Sequence, residues 1–92
     1  MKIMVVGGGG REHAIIKKLR ENPEVTEIYA LPGNGGIAAD AVCVDIGTTE
    51  ISRIADFAVQ NRIDYAVVAP DDPLVLGCVD ELEARGIPCF GP

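Results

Sequence analysis

Aromatic residues make up only 4% of the 92-residue chain, and 8 basic residues stand against 14 acidic ones, for a net charge of −6. So few stacking rings on an acidic chain suit it poorly to tracking a nucleic-acid backbone, so no nucleic-acid partner is expected. Cysteine is scarce: Cys43, Cys78 and Cys89 are odd in number and show no C-x-x-C spacing. Each lies in an apolar segment, which predicts buried free thiols in a reducing compartment. The single histidine, His13, has no Ser/His/Asp arrangement or metal-ligand cluster beside it. Residues 1–10 lack the long apolar region of a signal peptide, and no segment approaches a membrane span. A cytoplasmic location is therefore the default, with no membrane partner. Internal repeats, low-complexity tracts and long charge blocks are absent as well.

What is present fits one small soluble domain with a modest core, at 48% hydrophobic and 24% charged residues. Its centre is the stretch from Ile3 to Ile16. The apolar run Ile3-Met4-Val5-Val6 meets four glycines, Gly7 to Gly10, and then the helical pattern of Arg11-Glu12-His13-Ala14-Ile15-Ile16. This predicts strand, tight turn and helix. Glycines let backbone N–H groups approach an anionic oxygen, and a helix start adds unpaired N–H groups and a positive dipole end. Arg11 is placed to complete a phosphate clamp. A plain βα connection would explain the glycines too, although such loops seldom need four. A dinucleotide fingerprint fails: starting at Gly7 or Gly8 puts Glu12 or His13 in the third glycine slot, and no acid ends the second strand. The phosphate-loop pattern fails for want of a following Gly-Lys-Ser or Gly-Lys-Thr.

Further along, helix one is expected from Gly10 to Asn22, with Ala14, Ile15 and Leu19 turned inward, Ile16 flanking, and Lys17, Lys18 and Arg20 forming a solvated face. Asn22-Pro23 stops it. Strand two is Glu27–Leu31, and Pro32-Gly33-Asn34-Gly35-Gly36 forms a second glycine-rich turn. Residues 37–41 read as loop, followed by a short third strand, Ala41–Val44. Helix two has Thr48 or Thr49 as its cap, Glu50 at its positive end, and Ile51, Ile54, Ala55 and Ala58 as its apolar stripe. Strand four is Asp64–Ala69, apolar enough to be buried on both faces. Asp72 as cap and Pro73 at the first helical position start helix three, which carries Leu74, Val75, Cys78, Val79 and Leu82 and stops at Gly86. Ile87–Phe90 begins strand five. The alternation implies an α/β, doubly wound parallel sheet of about five strands and three helices, with ligands at the carboxyl ends of the strands. The loops at 7–13, 32–36 and 70–73 gather there.

Those loops carry a resemblance. Gly-Gly-Gly-Gly-Arg-Glu-His at 7–13, Pro-Gly-Asn-Gly-Gly at 32–36, Pro-Asp-Asp-Pro-Leu at 70–74 and Phe-Gly-Pro at 90–92 resemble the amino-terminal domain of the phosphoribosylamine–glycine ligase family. The similarity runs the whole chain. It implies a Rossmann-like domain over 1–92, expected to be cut from a longer protein, with the family's ATP-grasp domain absent. Members join glycine to 5-phosphoribosylamine with ATP in purine biosynthesis, through a glycyl-phosphate intermediate. By this resemblance ATP and magnesium (or manganese) bind outside 1–92, and neither a cofactor nor a metal is expected within it. The expected partners are 5-phosphoribosylamine, glycine through the missing domains, and the rest of the same polypeptide. The fragment alone is expected to be inactive. Other ATP-grasp enzymes, and a non-catalytic nucleotide- or phosphate-binding module, are the alternatives.

The substrate-binding set implied is Gly8, Gly9, Gly10, Arg11, Glu12, Pro32, Gly33, Asn34 and Asp71. Gly8 to Arg11 are assigned to phosphate or ribose. Glu12 is open between ribose hydroxyls, the amine and the helix dipole, and Asn34 between a ligand bond and a left-handed turn position. Asp71 is the ligand candidate at the end of strand four, a shorter carboxylate where many members carry glutamate. Asp72 reads as a helix cap, and His13 as a packing or capping residue ahead of a catalyst.

Overall fold

The computed structural model describes residues 1–68 and 75–90. Among the described residues five strands, β1 (Lys2–Gly7), β2 (Glu27–Pro32), β3 (Val42–Cys43), β4 (Tyr65–Val68) and β5 (Cys89–Phe90), form one sheet in the order β3-β2-β1-β4-β5. Every pairing is parallel. The outer two strands are short, with two residues each. Helices α1 (Gly10–Arg20), α2 (Ile51–Gln60) and α3 (Val75–Ala84) lie among the crossovers. The chain leaves β1 toward β2 and β3, then returns to the other side of β1 with β4. The order therefore reverses at β1, and the crevice of such a sheet opens at the carboxyl end of this strand.

The alternation along β1 builds two cores. Met4 and Val6 join Leu31, Ile54, Ala58, Ala66 and Leu82 on the face covered by α2 and α3. Ile3 and Val5 join Ile16, Ile28, Ala30 and Ile37 on the face covered by α1. Strands apolar on both faces belong in a sheet covered on both sides, which makes the architecture Rossmann-like.

Several local expectations are corrected. In α1, Ile16 is the fully buried residue and Ala14 is exposed, so the helix is rotated relative to the expected stripe. It ends at Arg20, before Asn22-Pro23, and Asn22 instead accepts the Glu24 N–H at 2.9 Å in a local turn. Residues 37–41 are not plain loop. A 3₁₀ turn at Ile37–Ala39 buries Ile37 completely and covers the sheet where no helix is available. Neither threonine occupies the cap position of α2; Glu50 does, and its Oε2 accepts the Gly47 N–H at 2.6 Å while Arg53 donates to Oε1 at 2.7 Å. The stripe of Ile54, Ala55 and Ala58 is buried as expected. Gly86, at φ +82°, follows α3 in the left-handed conformation foreseen for a helix stop. Of the three thiols only Cys78 is buried. Cys43 is exposed, because β3 is a short edge strand, and Cys89 is half-buried. The helix start at Asp72-Pro73, Leu74, the end of strand four at Ala69 and the closing Gly91-Pro92 lie outside the described residues.

Candidate glycine-loop site at the carboxyl edge

β1 ends at Gly7, whose φ of +138° strongly disfavours any residue with a side chain. Gly9 occupies the cap position of α1 in an extended conformation, with no side chain to offer, and the His13 N–H closes the first helical turn on the Gly9 carbonyl at 3.1 Å. The N–H groups of the first turn lack partners from a preceding turn, and the dipole's positive end lies here. The acidic residue in that turn is Glu12. Its side chain folds back over the loop: a Cβ on Gly7 would overlap its Cγ and Cδ at 2.7 and 2.8 Å, and one on Gly9 would lie 3.5 Å from Oε2. A carboxylate of this chain thus shares the helix start with any incoming anion.

The second turn follows β2 and is stitched to the first. The Gly33 N–H donates to the Gly7 carbonyl at 3.1 Å, and Asn34 Nδ2 donates to the Gly8 carbonyl. The approach is close enough that a Cβ on Gly8 would sit 2.6 Å from the Gly33 carbonyl oxygen. Gly33 itself has φ +71°. Asn34 also turns its Oδ1 to the Ile37 N–H at 2.9 Å, so it works as a hinge pin between the loop and the 3₁₀ turn. The glycines therefore have separate duties. Gly7 and Gly8 admit Glu12 and the second turn, whereas a Cβ on Gly10 or Gly35 would meet nothing within 4 Å. The open side of the site is at Gly9, Gly10 and Arg11, all exposed, with Pro32 and Gly33 partly covered behind them.

Asp71 and the turn at 70–73 lie outside the described residues, so the structure assembles two of the three expected loops. It also brings together a group that sequence reasoning missed. His13 Nε2 lies 3.0 Å from Asp40 Oδ2, and Lys17 Nζ lies 3.3 Å from the same oxygen. Lys17 is thus more than solvated face. The His13 contact first, and Lys17 second, hold the Asp40 carboxyl below the usual range. Asp40 is 27 residues from His13, and no periodicity or motif links positions so far apart. A shallow groove of about 290 Å³ is lined by Arg20 at the end of α1, by Thr26 and Glu27, and by the 38–42 segment, Asp40 included. Among the described residues no group of three His, Cys, Asp or Glu side chains is placed to hold a metal ion, and no helix is long and apolar enough to cross a membrane.

A parallel sheet with this strand order and a glycine turn feeding a helix at the reversal point defines a Rossmann-like domain. The particular family follows from comparison. Residues 1–92 match the family described as phosphoribosylglycinamide synthetase, N domain, and the chain belongs to that family. It is 53% identical over its full length to a phosphoribosylamine–glycine ligase of Caldanaerobacter subterraneus subsp. tengcongensis, covering 22% of that protein. A phosphoribosylamine–glycine ligase of Rhizobium meliloti is 47% identical over the same full length, again 22% of that protein. The trifunctional purine biosynthetic protein adenosine-3 of Drosophila melanogaster is 45% identical over 99% of this chain and 7% of its own length. The chain therefore spans about a fifth of the ligases it resembles.

Proposed function

We propose that this chain is the amino-terminal, substrate-docking domain of a phosphoribosylamine–glycine ligase, a cytoplasmic enzyme of purine biosynthesis that joins glycine to 5-phosphoribosylamine with ATP. The names of its relatives point to the reaction, and the geometry supports the share assigned to residues 1–92. The observation that carries this reading is the pair of stitched glycine turns at the carboxyl edge, with the open α1 start at Gly9 and Gly10 beside Arg11.

In this reading the substrate phosphate lies on the N–H groups at Gly8, Gly9 and Gly10, and Arg11 adds a charge-assisted bond. Glu12 already crosses Gly7 and Gly9, so its carboxylate suits the ribose hydroxyls or the amine; two anions side by side would repel. Pro32, Gly33 and Asn34 wall the pocket from the second turn, and Asp71, outside the described residues, is assigned to the same substrate. ATP and magnesium or manganese bind to the rest of the longer polypeptide, as glycine does. They supply the activation of the carboxylate that joins to the amine, while this domain binds and orients phosphoribosylamine.

The test is Arg11→Ala in the complete ligase. Loss of one charge-assisted contact of about 1.5–3 kcal/mol raises the KM for phosphoribosylamine roughly ten- to a hundredfold. The KM for ATP stays nearly constant. A rise in the ATP value alone would assign the loop to the other ligand.

A further inference from the structure

We propose that His13 is a positioning residue for the phosphoribosylamine pocket: anchored through Nε2 on Asp40, its ring holds the 34–40 segment at a fixed height over the first glycine loop. This rests on the substrate assignment above and adds residues that lie outside the set expected to touch the substrate.

The argument is geometric. His13 is in the first turn of α1, and Asp40 directly follows the 3₁₀ turn, so their 3.0 Å contact bridges two elements that share no local sequence. An ionised carboxylate only accepts hydrogen bonds, so Nε2 carries the proton and donates to Asp40. Lys17, one helical turn beyond His13, meets the same Oδ2 and keeps the acceptor charged and in place. With Nε2 committed, the adjoining Cε1–Nδ1 edge of the ring lies against the second turn: a Cβ built on Gly36 would lie 3.3 Å from Cε1 and 3.5 Å from Nδ1.

The 34–40 segment is thus pinned at both ends, with Ile37 buried in the core between them. At one end Asn34 ties it to Gly8 and to the Ile37 N–H. At the other, Asp40 ties it to His13 and Lys17. Between the pins, Gly35 and Gly36 are exposed, and a Cβ on Gly35 would meet nothing within 4 Å. Ile37, buried in the core, and Lys17 also hold this stretch, but His13 is the side chain that joins it to the first turn of α1, and without that link the Gly35-Gly36 backbone is free to shift against Gly9 and Gly10. Small misplacements of groups that orient a substrate are costly even far from the chemistry.

The experiment uses the complete ligase with His13→Ala, His13→Gln, Asp40→Ala and the double variant His13→Ala/Asp40→Ala. The Gln amide nitrogen reaches about as far as Nε2 and still donates. Expected is an approximately tenfold rise in the KM for phosphoribosylamine for His13→Ala, with kcat and the KM values for ATP and glycine within about twofold. His13→Gln recovers most of the loss, Asp40→Ala is at least as defective as His13→Ala because it also releases Lys17, and the double variant is no worse than Asp40→Ala, because the His13 link is already broken there. A role in stability alone would lower Tm and leave that KM unchanged, which overturns the proposal. So does a defect that Gln fails to recover. If His13→Ala does not fold, Asp40→Ala and His13→Gln carry the same test. Arg11→Ala run alongside separates the failures. If it raises the phosphoribosylamine KM and His13→Ala does not, positioning by His13 is refuted. If neither does, the substrate assignment itself falls.

Discussion

Replacing Gly8 with alanine should damage the domain far more than the same change two residues later. A Cβ on Gly8 would sit 2.6 Å from the Gly33 carbonyl oxygen, a backbone atom that can move only if the second turn moves. That displacement strains the Gly33 N–H to Gly7 bond at 3.1 Å and the Asn34 bond to the Gly8 carbonyl. Overpacking costs about 1–3 kcal/mol, and each weakened hydrogen bond about 0.5–1.5 kcal/mol. Restricting the unfolded chain returns roughly 0.4–1 kcal/mol, so a net loss of about 2–4 kcal/mol is expected. At Gly10 the added methyl meets nothing within 4 Å and stands at the first helical position, in right-handed backbone. Gly10→Ala should therefore stabilise by roughly 0.5–1 kcal/mol. Urea unfolding of the 92-residue chain, followed by circular dichroism, reads both as shifts of the midpoint at constant slope. Equal midpoints for the two variants, or a Gly8→Ala midpoint above the parent's, would refute the close approach of the two turns.

Two further outcomes follow from groups outside the site. Glu50 is held below its usual value of 4.5, first by the Gly47 N–H and then by Arg53. A carboxyl whose folded pKa is depressed stabilises only while ionised. Its contribution is complete above its unfolded value and is lost as the pH falls through the lower folded one. Glu50→Gln should thus lower the urea midpoint at about pH 7 and leave it unchanged near pH 2, and an equal shift at both would sink the assignment. Burial, with Glu83 second, pushes the Cys89 thiol up to about 11, whereas Cys43 is exposed on the edge strand. Iodoacetamide at about pH 8 should alkylate Cys43 first, and modify Cys78 and Cys89 only on unfolding, as read by peptide mass spectrometry. Labelling of Cys89 ahead of Cys43 would contradict the packing of β5.

The features legible in the sequence were those built within a few residues. Alternation along Ile3–Val6 set two faces of one strand, the Ile54-Ala55-Ala58 stripe set the inner face of α2, and Gly86 marked a helix end. Each depends on steric rules acting over one or two turns of chain, which composition and spacing record directly. The glycine-rich motifs were equally legible as loops, and together they carried the family. Tertiary structure alone decided how those loops are used. Gly8 is small because Gly33 crosses it, and that follows from β2 pairing beside β1. Ile16 rather than Ala14 is buried because the position of α1 over the sheet, against Ile37, sets its rotation. Cys43 is exposed because β3 ends the sheet. His13 finds Asp40 across 27 residues, a pairing that neither residue's neighbours announce. Local forces select the elements; which side chains then meet depends on strand order and register, and those are settled by burying both faces of the sheet at once.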